Sequence, residues 1–247
     1  MAKIIFLAAL VVSSAALAGE ASLPTSFDYY LLSLSLEPAF CDEHIQSRGA
    51  SRECRQLTEA QYRAQPLTLH GLWPSRRDRH APVWCGTDRQ EGGDFCGKDR
   101  VPLSLRTQQR LAKIMPGTSD CLDRYEWAKH GSCSGLKAEA YFSRAIDLVN
   151  WANRAMGSEI SEATGNEISL ERLRTGLSRV DPALAAATVF ECHLPHRGAS
   201  PVLSEVRIYF ARDPVTGEPD GPLPLRAVGH WQYNPGCRVG RAYLDRP

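Results

Sequence analysis

The chain has 247 residues, 43% of them hydrophobic, and its 29 Lys and Arg nearly balance 28 Asp and Glu. That is enough apolar material for one domain with a sizeable core, and no Pro/Gly/Ser linker or long-period repeat divides it. Near-neutral charge excludes tight, sequence-blind adhesion to nucleic acid as the basis of function.

At the start, Lys3 precedes an apolar stretch from Ile4 to Val12, and small residues then run to Ala16-Leu17-Ala18. This is the pattern of an export signal over residues 1–18, with 19–247 as the exported domain. The stretch is too short for a bilayer span, Ser13-Ser14 interrupts it, and no later segment approaches one, so no membrane span is expected after signal removal. Loss of Lys3 leaves the exported domain formally neutral. The lack of any Asn-x-Ser/Thr sequon favours a bacterial periplasm over a eukaryotic secretory route. All 8 cysteines lie beyond the signal, an even count suited to disulfides in an oxidising compartment. Proximity suggests Cys41–Cys54, while Cys85, Cys96, Cys121 and Cys133 leave more than one pairing open. There is no C-x-x-C, and residues 125–130 lack the first His of H-E-x-x-H, so no metal or other cofactor is expected.

Residues 41–66 read as a disulfide-tied excursion. Leu67, Leu69 and Gly71 then alternate with Thr68, His70 and Leu72 as the end of a strand, with His70 on the face away from the leucines. Trp73-Pro74 is expected to end the pairing. Residues 75–102 form a loop region holding Cys85 and Cys96, and Arg76, Arg77, Arg79 and His80 offer either a cationic lip or an ordinary solvated loop. A helix is predicted from Ala138 to Met156, with an apolar stripe through Tyr141, Phe142, Ala145, Ile146, Leu148, Val149 and Ala152 and with Gly157 as its stop. Shorter helices follow at 169–177 and 182–187. Val206, Ile208 and Phe210 alternate with Arg207 and Tyr209 in a late strand, 202–210, with one buried face. Strands bracketing helices give an α+β reading.

The chemistry concentrates in Leu69-His70-Gly71-Leu72-Trp73-Pro74 and Tyr125-Glu126-Trp127-Ala128-Lys129-His130-Gly131-Ser132-Cys133. On a helix, Glu126, Lys129 and His130 share an arc of about 100°, and Gly131 reads as the stop beyond it. Two imidazoles can supply the proton donor and acceptor of one displacement, while Glu126 and Lys129 position groups and stabilise an anionic transition state. Each residue alone has a plainer reading. Glu126 and Lys129 would make an ordinary surface ion pair, and Trp73 would plug a corner of the core. It is the pairing of the two segments that argues for a site. His44, His80, His193, His196 and His230 lack such a context.

The two segments resemble the active-site segments of the ribonuclease T2 family, in order and in spacing. Phe27-Asp28-Tyr29-Tyr30-Leu31-Leu32-Ser33-Leu34-Ser35-Leu36, leading to Phe40-Cys41, is similar to the family's opening strand, and Leu203-Ser204-Glu205-Val206-Arg207-Ile208 to its late one. The resemblance implies a central antiparallel sheet with flanking helices and a Cys192–Cys237 disulfide. It further implies a metal-independent endoribonuclease acting on RNA and not DNA, expected as a monomer. Attack by the ribose 2′-OH would leave a 2′,3′-cyclic phosphate, hydrolysed more slowly to a 3′-phosphate. By the same resemblance His130 is the base and His70 the acid, an order that spacing alone leaves open. Lys129 would stabilise the non-bridging oxygens, Glu126 would orient an imidazole or bond the phosphorane, and Trp73 would stack on a base. One departure is Tyr125, where many members carry a third histidine; its hydroxyl can contact phosphate but carries no positive charge. Ser75 stands where some members place a base-selecting acid. Two rival classes are a catalytically silent exported protein of the same fold, motivated by Tyr125, and a metal-dependent phosphoesterase. Residual turnover and chelator sensitivity separate them.

Overall fold

A computed structural model describes residues 26–48, 51–78, 80–86, 93–195, 200–228, 236–237 and 240–247. The expected signal, Arg79, His196 and His230 lie outside these residues. Strand β1 (Tyr29–Ser35) runs antiparallel between β2 (Thr68–Ser75) and a late strand, Val202–Arg212. Two further strands, β3 (Glu167–Ser169) and β4 (Thr188–His193), come before that late strand, which is β5. β4 is antiparallel to β5, and the sheet is completed by β6 (Pro219–Pro222) and β7 (Arg241–Tyr243). The class is α+β as expected, but the sheet is mixed, because β5 and β7 pair in parallel at Val202 and Tyr243.

Alternation along β1 divides the interior in two. Tyr30, Leu32 and Leu34 enter the main core with Val206, Ile208 and Phe210 of β5. Tyr29 and Leu31 join Val189, Tyr209 and Val228 in a second, smaller cluster. The late strand therefore buries both faces, not one. The opposite-face positions of β1 beside the site are Ser33 and Ser35, both buried.

Before β2, the excursion folds as α1 (Glu37–Arg48), α2 (Arg52–Gln56) and α3 (Glu59–Ala64), with Cys41 bonded to Cys54. Thr58 and Gln61 form a capping box on α3. The period of β2 changes at His70. Ser33 pairs with Gly71 and Leu34 with Leu69, so His70 is the extra residue of a bulge. After it, Leu72 and not Gly71 joins Leu67 and Leu69 in the core. A bulge re-aims one side chain without breaking the strand. Pairing also continues through Trp73 and Pro74 to Ser75, contrary to expectation. β2 lies at the end of the strand order, where a missing proline N–H costs no ladder bond.

Helix α4 (Leu105–Ile114), which the sequence reading missed, is capped by Ser104 and buries Leu111 and Ile114. Next comes α5 (Leu122–Lys129), and then α6 (Ala138–Ala163) buries the predicted stripe but runs through Gly157. Gly157 is not a stop; a Cβ there would lie 3.3 Å from Asn153 Oδ1 and 3.5 Å from Pro66. One turn back, the Asn153 amide clamps Leu67 from both sides, accepting from its N–H and donating to its carbonyl. The helix ends at Thr164, before Gly165 at φ +80°. The predicted short helices are α7 (Leu170–Val180), capped by Ser169, and α8 (Pro182–Ala186), capped by Asp181.

The remaining disulfides are Cys85–Cys133, Cys96–Cys121 and Cys192–Cys237. The first two resolve the set left open, and the third agrees with the family resemblance. No helix among the described residues is long and apolar enough to cross a membrane.

Candidate active site

The two segments meet where the β2 bulge faces α5. Trp73 packs against both imidazoles: its ring centroid is 5.1 Å from that of His70, edge to face, and 5.2 Å from that of His130. The indole Nε1–H donates to Glu126 Oε2 at 2.7 Å. A Cβ at Gly71 would collide with both the indole nitrogen and that carboxylate oxygen, so this bond requires glycine there. Glu126 is 1% exposed, and among the described residues no ion pair joins it to Lys129. Among the described residues its carboxylate accepts a hydrogen bond from the indole and none from an imidazole.

Lys129 turns the other way. Its Nζ donates to the Tyr125 hydroxyl at 2.6 Å and lies 5.0 Å from that ring's centroid. Tyr125 stands edge-on to Phe95 and Trp84. Trp84 is held at φ +56°, a strained conformation for a bulky residue, while its N–H donates to the Lys129 carbonyl at 2.8 Å. Cys85, next along, is bonded to Cys133, so this loop is fastened to the end of α5. Gly131 is not a left-handed stop. It opens a short 3-10 turn, and its bare Cα leaves room for the rings of Trp127 and Tyr141.

The histidines differ in their partners. His70 Nδ1 is 2.7 Å from Glu205 Oε1, although β1 lies between their strands. Arg207 grips the other Glu205 oxygen through Nε and Nη2, at 3.0 and 2.8 Å, and reaches Glu191 Oε1 at 3.0 Å through Nη1. His130 is buried, and among the described residues its Nδ1 has no hydrogen-bond partner. Glu205, Arg207 and Glu191 escaped the sequence reading. Glu205 and Arg207 stood in the late-strand segment, but nothing local tied them to His70.

Electrostatics follow this asymmetry. Burial works against the His70 imidazolium, but the Glu205 hydrogen bond and the charges of Glu126 and Glu205 outweigh it and Arg207, leaving the pKa above the usual histidine value. For His130, burial, Lys129 and His70 all act one way and lower it to about 3. Glu205 falls to about 2, because His70 and Arg207 overcome its burial. The two imidazoles are thus pushed in opposite directions, His70 toward its charged form and His130 toward its neutral one. Glu126 is raised by burial, offset in part by His70, Trp73 and Lys129.

A cavity of about 410 Å³ opens beside His70, walled by Phe40, Leu69, Phe95 and Tyr125 and by the carboxyl groups of Glu37 and Glu53. Burial and the neighbouring carboxylates Glu37 and Asp120 push Glu53 up to about 7. The arginines after the first motif are engaged: Arg76 donates to the Ser26 carbonyl and Arg77 to that of Ala227. Among the described residues no three His, Cys, Asp or Glu side chains group as a metal site would require.

Two imidazoles pushed in opposite directions, with a lysine in the same segment as one of them, are the groups that acid–base chemistry on a phosphate ester needs. The chain belongs to the ribonuclease T2 family, whose family model matches residues 27–217. It is 31% identical to ribonuclease I of Escherichia coli (strain K12) over 228 residues, 82% of each chain. A ribonuclease of Aeromonas hydrophila is 35% identical over 132 residues, 53% of this chain and 47% of that one. Among solved structures, RNase NT in complex with 5′-AMP has a TM-score of 0.58 at 16% identity, covering 90% of this chain and all of its own. Ribonuclease MC1 from bitter gourd seeds gives 0.54 at 21% identity, covering 75% and 90%. These two likenesses are of fold.

Proposed function

We propose that this protein is an exported, metal-independent endoribonuclease that cleaves single-stranded RNA by internal transphosphorylation. The observation that carries the reading is the meeting of His70 and His130 against one indole ring, with a carboxylate bonded to His70 and burial pressing His130 toward its neutral form. Neutral His130 takes the proton of the ribose 2′-OH as that oxygen attacks the adjacent phosphorus. Protonated His70 gives its proton to the departing 5′-oxygen, leaving a 2′,3′-cyclic phosphate and a free 5′-OH. In slower hydrolysis of the cyclic ester the proton roles reverse. Lys129 offsets charge on the non-bridging oxygens, Tyr125 donates its hydroxyl hydrogen to one of them, and Glu126 acts by holding the indole that packs against both imidazoles. With His70 on the leaving-group side, the cavity walled by Phe95 and Tyr125 receives the base 3′ to the scissile bond, while the free surface of Trp73 offers stacking to the other. Residues 1–18 act as the export signal, and the four disulfides fit an oxidising compartment.

End-group sequencing of digested RNA tests the reaction: 2′,3′-cyclic phosphate and 5′-OH termini are expected, and 5′-phosphate termini reject it. The pH profile tests the roles. kcat/KM falls on the acid side as His130 takes a proton, near pH 3, and on the alkaline side as His70 loses one, above the usual histidine value. The two limbs are apparent values of a coupled pair. An acid limb at or above about 6.5, the unperturbed histidine value, contradicts the assignment of His130 as the base.

Tyr125→Phe removes the oxygen to which Lys129 donates. It is expected to cost about 0.5–2 kcal/mol of transition-state binding, the scale of a hydrogen bond to a charged group. Tyr125→His keeps or raises activity at acidic pH and loses that advantage as the imidazole deprotonates. Unchanged Phe kinetics with a destabilised His variant would assign Tyr125 to packing alone.

A further inference from the structure

Between His70 and Glu205 stands a complete strand. β1 separates β2 from β5, so two strand spacings of about 4.8 Å lie between their backbones. The contact at 2.7 Å is nonetheless direct. Two features of the sequence allow it. The bulge re-aims His70 out of the regular alternation of β2. The β1 residues in register with Arg207 and Glu205 are Ser33 and Ser35, too short to block the path. Leucines fill the alternate positions and face the main core.

We propose that Glu205 is a positioning residue for His70: its carboxylate, gripped by Arg207 and backed by Glu191, accepts the hydrogen bond from Nδ1–H and so presents Nε2 to the leaving oxygen. The arrangement has its own support. Glu191 on β4 and Glu205 on β5 lie directly opposite in register, a like-charge pair that destabilises a sheet unless bridged. Arg207 bridges them, fixing the Glu205 carboxylate plane before any substrate arrives. Glu205 is thereby kept ionised and acceptor-only, which selects the Nδ1–H form of His70 in both its charged and its neutral states. His130 has no such partner, and this difference tells the acid from the base.

The groups acting on His70 come from four elements: Glu205 and Arg207 on β5, Glu126 on α5 with His130 at its end, Glu37 on α1 and Glu53 on α2. Of these only Glu205 bonds the ring, so its replacement has the most direct effect. Glu205→Gln keeps an oxygen for Nδ1–H but removes the charge, whereas Arg207→Gln removes an opposing positive charge. The two variants should therefore shift His70 in opposite directions.

This inference rests on His70 as the acid, and the test separates the two claims. Histidine NMR titration of the full-length protein is recorded beside its pH–rate profile, for wild type, Glu205→Gln, Glu205→Asp and Arg207→Gln. In Glu205→Gln the His70 titration and the alkaline limb of kcat/KM should both move down by about one to three pH units, the usual effect of losing an adjacent opposite charge. Glu205→Asp should restore most of the shift, and Arg207→Gln should move both upward. If the His70 titration stays in place in both Glu205 variants, the positioning role is wrong and the acid assignment stands. If the titration moves while the alkaline limb does not, His70 is not the acid, and both claims fall. A Glu205→Gln chain that fails to fold leaves Glu205→Asp and Arg207→Gln to give the same readouts.

Discussion

His70→Ala and His130→Ala are each expected to lower kcat by about 10²–10⁴-fold, the usual worth of a positioned general acid or base, while the protein remains folded. The stability side of this expectation follows from their surroundings. Removing His130 deletes a buried nitrogen that has no hydrogen-bond partner, so little native bonding is lost. Removing His70 leaves Glu205 still held by Arg207. Thermal melts beside single-turnover kinetics measure both halves. A variant keeping more than roughly a tenth of wild-type turnover removes that histidine from the acid–base pair. The double variant should cost little more than the worse single one, because each group is useless without the other.

The second large effect concerns the substrate. Since the proposed nucleophile belongs to the RNA, DNA and 2′-O-methyl RNA of the same sequence should survive conditions that consume unmodified RNA, with or without EDTA. The discrimination is chemical and not a matter of fit, so it should show as a loss of turnover even where the modified strand binds. Competition by 2′-O-methyl RNA against cleavage of a labelled RNA separates binding from reaction. Cleavage of DNA at comparable rates, or its abolition by chelator, would reject the mechanism.

The parts of the site that lie close together in sequence were the legible ones. Glu126, Lys129 and His130 were predicted to share a helix face, and α5 carries the first two and ends at His130. Yet that spacing did not reveal that Lys129 bonds Tyr125 while Glu126 bonds Trp73. Glu205 was quoted for its strand but not for its contact, because 135 positions separate it from His70 and strand order cannot be read from alternation. The bulge was equally hidden, since the strand reading assumed one unbroken period. Glycines misled in a consistent way. Gly131 and Gly157 read locally as helix stops, but a Cβ at 131 would collide with the Trp127 ring, and Gly157 lies inside α6 close to Asn153 and Pro66. The signals for α4 are local, a Ser104 cap followed by Leu111 and Ile114 on one face.

The two disulfides beside α5 bear on when the proposed activity can arise. Cys121 begins this helix and Cys133 lies just past it, so Cys96–Cys121 and Cys85–Cys133 hold it at both ends. A helix of 8 residues has little stability of its own. On the proposed function, a chain whose cysteines are still reduced carries His130 on a segment without these anchors. Its turnover of RNA should therefore rise as the two pairs are oxidised.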